Sequence, residues 1–295
     1  MHPLLAIALS YVLGSIPAAY IAGKSRGVDL RKVGSGNLGA TNVVRTLGAK
    51  IGAAVFLFDV AKGAVPTALF PQLASPVTAP GWWSSDPRLL LAIACGVAAI
   101  VGHVRPIFLK FGKGGKGVAT SAGVFLGLAP VATAAALVTF LLVVLVSGYV
   151  SLGSLTAAVV LTLVLLVREG PSPLFVVSLA LAAFVFWTHR ANIGRLRRGE
   201  EHRFGKRAAK RGEGDAQGGR RGGGATGAAL AVVIGAAVVV AVFLFDVAKG
   251  AVPTALFPQL ASPVTAPGWW SSDPRLLLAI ACGVAAIVGH VRPIF

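Results

Sequence analysis

The sequence predicts an all-α fold, a polytopic bundle of membrane helices. Three observations carry that reading. The 295 residues are 56% hydrophobic with a mean hydropathy of +0.81. Only 13% are charged, against about 25% in a soluble domain. The charges there are, 27 Lys+Arg against 10 Asp+Glu for a net +17, crowd into a few segments between apolar runs of helix length. Such a composition excludes a soluble globular protein, and its apolar excess excludes a disordered one.

The apolar runs are Pro3–Gly23, Ile51–Leu73, Leu89–Phe108, Val118–Val146, Ser151–Val167 and Ser172–Thr188. A helix needs ~20 such residues to cross ~30 Å of hydrocarbon. Pro3–Gly23 has no basic stretch before it, so it reads as a retained span rather than a cleavable signal. Lys24–Lys50 holds Lys24, Arg26, Arg31, Lys32, Arg45 and Lys50 against Asp29 alone. Ala74–Pro87 has no Lys or Arg, Lys110–Lys116 has three lysines, and His189–Arg211 has nine basic residues. Basic loops stay cytoplasmic, which puts Ala74–Pro87 and the N-terminus outside. The tail after Thr188 then returns to the cytoplasm only if Val118–Val146 is two helices. Pro130 supplies the break, because proline lacks the N–H and clashes with the preceding turn. Seven transmembrane helices result, with a short fourth one, Gly114–Ala129, too short at ~24 Å to cross fully. Its glycine-rich start should lie within the protein, below the cytoplasmic surface.

Ala54–Phe108 recurs letter for letter as Ala241–Phe295, at an offset of 187 over 55 residues. Structural repeats drift in sequence; this one has not, so it reads as a recent duplication or an artefact without function. The copy brings three Lys+Arg and two Asp+Glu, so the charge without it is still +16. The expected organisation is a seven-helix domain at 1–211, a Gly-rich basic linker at 212–225, and an extra hydrophobic segment at 226–295 that repeats the second and third helices. Cys95 and its copy Cys282 suggest neither a disulfide framework nor a metal site, and no metal or cofactor is expected.

Three polar stretches could do chemistry. The first is Gly34-Ser35-Gly36-Asn37-Leu38-Gly39-Ala40-Thr41-Asn42-Val43-Val44-Arg45, the second Lys110-Phe111-Gly112-Lys113-Gly114-Gly115-Lys116-Gly117. Both match G-x-G-x-x-G, but the dinucleotide motif needs a preceding strand, and these lie between membrane helices. Nor is Lys116 followed by the Ser or Thr of a P-loop. What remains is anion binding: glycines let backbone N–H groups converge, a helix N-terminus adds positive potential, and Lys113 and Lys116 add full charges. A loop serving topology alone would need no Ser35, Asn37, Thr41 or Asn42. The third stretch carries His189, Asn192 and Arg195 at i, i+3 intervals, on one face if the helix runs on; a snorkelling interfacial helix would show the same spacing. Within the second span Asp59 and Lys62 also sit at i, i+3, the spacing of a pair at membrane depth. His103 and Arg105 end the third span, Arg105 as an anchor. No carboxylate pair, H-x-x-x-x-D or Ser–His–Asp order occurs.

In order along residues 1–207, GSGNLGATNVVR (34–45), DVAKGAVP (59–66), GHVRPIF then KGGKGVAT (102–120), YVSLGS (149–154) and HRANIGRLRRGEE (189–201) resemble one family. It is the bacterial integral-membrane acyl-phosphate:glycerol-3-phosphate acyltransferases of the PlsY type. The resemblance implies seven transmembrane helices and transfer of a fatty acyl group from acyl phosphate to the 1-hydroxyl of glycerol 3-phosphate, giving lysophosphatidic acid. It implies that Ser35, Arg45, His189 and Asn192 are needed for activity. It also implies that Gly112–Gly117, with Lys113 and Lys116, binds glycerol 3-phosphate, and that Glu201 is structural. Asn37 and Arg195 join the substrate-binding set, and Asp59 and Lys62 the structural one. Phe111-Gly112-Lys113-Gly114-Gly115-Lys116 departs from the family's F-K-G-G-K by one inserted glycine, and the C-terminal copy stands outside its pattern. The expected partners are the two substrates and membrane lipid, with no nucleic acid and no obligatory protein. The expected location is the bacterial inner membrane, with the site facing the cytoplasm. A transporter of small phosphorylated anions would also want basic glycine loops, but inverted repeats and a midplane site are not what this sequence shows. A non-catalytic scaffold would leave Ser35, Asn37 and Asn192 without a task.

Overall fold

The computed structural model describes residues 1–75 and 86–204. The linker at 212–225 and the segment at 226–295 lie outside the described residues. Ten α-helices are described: α1 (Pro3–Gly14), α2 (Ala18–Lys24), α3 (Ala40–Leu47), α4 (Ala49–Leu73), α5 (Pro87–Val104), α6 (Val118–Leu128), α7 (Pro130–Ser147), α8 (Val150–Glu169), α9 (Pro173–Thr188) and α10 (Arg190–Arg197). Among the described residues, five stretches are long and apolar enough to cross a membrane: Pro3–Lys24, Ala49–Leu73, Pro87–Leu109, Pro130–Ser147 and Val150–Glu169. A sixth is counted if α9 and α10, bent by 59°, form one span, and α6 is a shorter apolar helix.

The break expected at Pro130 is there: α6 ends at Leu128 and α7 starts on Pro130. Two expectations need correcting. The short helix begins at Val118 rather than Gly114, since Gly117 adopts φ +84°, a conformation that halts a right-handed helix and suits glycine. The first apolar run is not one straight helix either. Pro17 cannot donate to the helical ladder and pushes Ile16 out of the α region, so the run divides into α1 and α2.

The helix α4 organises the N-terminal half, packing on α1, α2, α3, α5 and α6, while α7, α8 and α9 pack in sequence beside it. Lipid-exposed helices gain little from hydrophobic association and rely on close backbone approach. Accordingly, a Cβ on Gly63 of α4 would collide with the Thr120 carbonyl of α6, and one on Gly123 of α6 with the Val60 carbonyl. Conversely, Leu137, Leu141 and Leu145 leave an exposed apolar stripe on α7, the face a membrane helix turns to lipid. In the core of the N-terminal half, Lys62 Nζ lies 2.8 Å from Asp59 Oδ1, with both side chains at most 3% exposed. Removing one partner of such a buried pair costs ~3–5 kcal/mol.

Candidate functional site

Three polar stretches far apart in sequence meet at one end of the bundle. In the first, Gly34 and Gly36 take φ +60° and +66° and curl the chain back onto α3. Asn42 fixes that curl from inside: its Oδ1 accepts from the Ser35 N–H at 2.9 Å, and its Nδ2 donates to the Leu30 and Val33 carbonyls. The Ser35 side chain stays exposed, Asn37 is half-buried, and Arg45 points from α3 toward the tail, donating to the His202 carbonyl at 3.3 Å.

The second stretch leaves α5 through a 3-10 turn at Ile107–Leu109. Lys110 and Phe111 then adopt left-handed backbone (φ +53° and +58°), and the Gly112 N–H donates to Leu109 O at 2.9 Å. The extra glycine is absorbed in this turn, upstream of Lys113. Beyond it the chain folds back on α5, where Gly114 N–H donates to Val104 O (3.0 Å) and Gly115 N–H to His103 O (3.3 Å). The N–H groups of Gly112, Gly114 and Gly115 are thus engaged on carbonyls. The first turn of α6 adds the N–H groups of Val118, Ala119 and Thr120, which precede any intrahelical acceptor.

The third stretch does not run on as one helix, so the condition for His189, Asn192 and Arg195 sharing one face is not met. The 59° bend at His189 separates α9 from α10. His189, 3% exposed, sets its Nδ1 at 2.8 Å from the Val185 carbonyl. Arg190 turns away, its guanidinium 4.9 Å over the Trp187 ring. Asn192 and Arg195 turn inward to a common partner, Glu201. That carboxylate accepts from Asn192 Nδ2 at 2.6 Å, Ser151 Oγ at 2.8 Å and Arg195 Nε at 2.7 Å. Lys116 Nζ donates to Asn192 Oδ1, closing a network from the glycine loop through α10 to the tail and α8.

The network is electrostatically asymmetric. Burial pushes the Glu201 carboxyl up, but the hydrogen bonds from Asn192, Ser151 and Arg195 outweigh it and hold it below its ordinary value. One anion thus faces Lys116, Arg195 and Arg45, with Lys113 exposed at the rim. Burial, together with repulsion from Arg195, Lys113 and Arg45, brings Lys116 down to about 8, although Glu201 pulls the other way. The surplus of positive charge suits an added anion. Buried oxygens of Asn37, Thr120 and Ser121 have no hydrogen-bond partner among the described residues. No cluster of metal-ligating residues occurs among them.

A model of the glycerol-3-phosphate acyltransferase family matches residues 4–199 and 216–295. The chain belongs to this family. The glycerol-3-phosphate acyltransferase of Geobacter sulfurreducens is 43% identical over 204 residues, covering 69% of this chain and 98% of that relative. That of Synechococcus elongatus is 41% identical over 202 residues, covering 68% and 93%. A crystal structure of PlsY (YgiH), an integral membrane glycerol 3-phosphate acyltransferase, in its glycerol 3-phosphate form superposes with a TM-score of 0.61. It is 39% identical, covering 69% of this chain and 96% of that one. The lysophosphatidic acid form of PlsY gives 0.59 at 37% identity, covering 69% and 95%. The acyltransferase family model also matches the copied segment, which therefore does not stand outside the family's pattern in sequence.

Around the candidate site of this acyltransferase, three groups gave no functional signal in the sequence. His103 is buried beneath the glycine loop, and a Cβ on Gly115 would collide with its ring. Ser151, within YVSLGS, donates to Glu201. The backbone carbonyl of His202, which receives Arg45, leaves no trace in residue identity.

Proposed function

We propose that the chain transfers a fatty acyl group from acyl phosphate to the 1-hydroxyl of glycerol 3-phosphate, releasing lysophosphatidic acid and phosphate for phospholipid synthesis. The observation that carries the reading is the convergence of Lys116, Arg195 and Arg45 at the free N-terminus of α6, with a single carboxylate among them. Two phosphorylated substrates repel one another. Cations fixed before the substrates arrive offset that repulsion and orient both for reaction.

In the reaction, the 1-hydroxyl oxygen bonds to the acyl carbonyl carbon, and the carbon–oxygen bond to phosphate breaks, phosphate leaving with the electron pair. Phosphate is a good leaving group, so no strong general acid is needed. The hydroxyl proton goes to the phosphate of glycerol 3-phosphate itself. His189 is the protein group next best suited: its Nδ1 faces a carbonyl, which only accepts, so Nδ1 carries the proton and Nε2 holds the lone pair. Lys113, Lys116 and the turn of α6 hold the glycerol 3-phosphate anion. Ser35, Asn37 and Arg45 complete the pocket from the first loop, and Asn192 and Arg195 from α10. Glu201 and the Asp59–Lys62 pair support the pocket without touching substrate. The acyl chain lies between helices within reach of the bilayer.

The same reading extends to topology: seven crossings in the inner membrane, N-terminus outside, site facing the cytoplasm, and 1–211 as the working domain. The deciding experiment gives the purified, folded chain glycerol 3-phosphate with acyl phosphate or with acyl-CoA. Lysophosphatidic acid from acyl phosphate is expected. Its absence with both donors overturns the proposal, and its formation from acyl-CoA alone overturns the choice of donor.

A further inference from the structure

Three side chains outside the cationic network are buried directly below the glycine loop: Asp59 and Lys62 on α4, and His103 near the end of α5, none more than 6% exposed. Lys62 Nζ lies 2.8 Å from Asp59 Oδ1 and donates to the Ile16 carbonyl at 2.9 Å. That carbonyl belongs to the break between α1 and α2, where Pro17 has interrupted the helical ladder. His103 Nδ1 stands 3.5 Å from the same Asp59 oxygen. The cluster therefore joins α4 and α5 to the break between α1 and α2, through an ion pair that also takes up the polar group exposed there.

Its upper edge is the loop itself. The His103 and Val104 carbonyls receive the N–H groups of Gly115 and Gly114. The His103 ring edge, Nε2 and Cε1, occupies the space where a Cβ on Gly115 would stand, and the Leu38 carbonyl of the first loop lies 2.9 Å from that same point. A small cavity between cluster and loop is lined by Pro17, Leu38, Asp59, Lys62, His103 and Gly114 among others. Gly115 thus packs directly on the His103 ring, with the Leu38 carbonyl of the first loop against the same glycine, and the imidazole has the Asp59 carboxylate on its other side.

We infer that Asp59, Lys62 and His103 are positioning residues for substrate: they set the height and tilt of Gly114–Gly115, and through it the reach of Lys116 toward the bound anion. This rests on the functional reading above for the identity of that anion as glycerol 3-phosphate. A pair that merely held helices together would need no third member. It would not place an imidazole edge against the residue beside Lys116.

The test measures binding of glycerol 3-phosphate alone to the full chain by calorimetry, beside the thermal midpoint of the unliganded protein. Two variants are compared with the parent: Asp59→Asn/Lys62→Met, which removes both charges together, and His103→Ala, which leaves the ion pair intact. The expected result is a Kd raised about tenfold in each, with midpoints within about 3 °C of the parent. In turnover assays KM for glycerol 3-phosphate rises in step, while kcat and KM for the acyl donor hold within about threefold. A Kd within about twofold of the parent in a folded variant overturns the inference. So does loss of the thermal transition in both variants, which makes the cluster a folding element only. If the parent binds glycerol 3-phosphate but gives no product, the functional reading fails while the positioning role is still decided by binding. If the parent does not bind it, both fall.

Discussion

At the scale of the residue, the site is a contest between burial and charge. Lys116 is the clearest case, lowered to about 8 mainly by burial. A lysine is cationic below its pKa, so the free protein loses this charge as pH rises through that value. We predict that kcat/KM for glycerol 3-phosphate falls about tenfold per pH unit on the alkaline side of pH about 8, measured in a pH–rate profile. Lys116→Arg should abolish that limb, because guanidinium stays charged. Glu201→Gln should move the limb to lower pH, since Glu201 raises the Lys116 value. Ser35→Ala and Arg45→Ala should each lower kcat/KM by ~100-fold or more, the cost of removing a preorganised group at developing charge. Product formation by the folded variants checks them. Ser35, Arg45, Lys116, His189 and Asn192 were legible as candidates because polar residues amid glycines and apolar runs need a reason. His103 was not, because a histidine ending an apolar helix looks the same whether it faces lipid, solvent or a loop.

At the scale of the element, helix ends and breaks do the positioning. Pro130 and Gly117 bound α6 to 11 residues, so its first-turn N–H groups follow directly on the glycine loop. The bend at His189 swings α10 beneath the glycine loop, so that Asn192 reaches Lys116. The break at Pro130 was legible because proline acts locally, whereas the one at Pro17 lay hidden inside a run apolar from end to end. The exit of the glycine N–H groups onto α5 was not legible, since it depends on where another helix ends. The α4–α6 contact is tight enough to test: Gly123→Leu should drive a side chain into the Val60 carbonyl and destabilise the protein by about 1–3 kcal/mol. The expected readout is a lower thermal midpoint in detergent, with Leu137→Ala on the exposed stripe of α7 as a control that stays near the parent.

At the scale of the whole molecule, removing Ala241–Phe295 should leave turnover within about twofold of the full chain. A large loss in a truncated protein that still inserts would give the copy a role. A peptide spanning Val240–Ala241 in a digest of the native protein tests whether the copy is expressed. Labelling of single cysteines placed at the N-terminus and after Arg198 tests opposite exposure, the N-terminus from outside and the tail from within. The sequence by itself determined that the chain is helical and belongs in a membrane. Span length, charge bias and proline chemistry are properties of short segments, so they survive without coordinates. It also marked the residue types of an anion site, because glycine and lysine at those spacings have few other uses. Only the tertiary structure decided which of those groups meet. Glu201 at the centre of the cations, the Gly114 and Gly115 N–H groups spent on α5, and His103 beneath the loop all depend on contacts between segments distant in sequence. Such contacts arise from packing of whole helices, and no local pattern of residues encodes them.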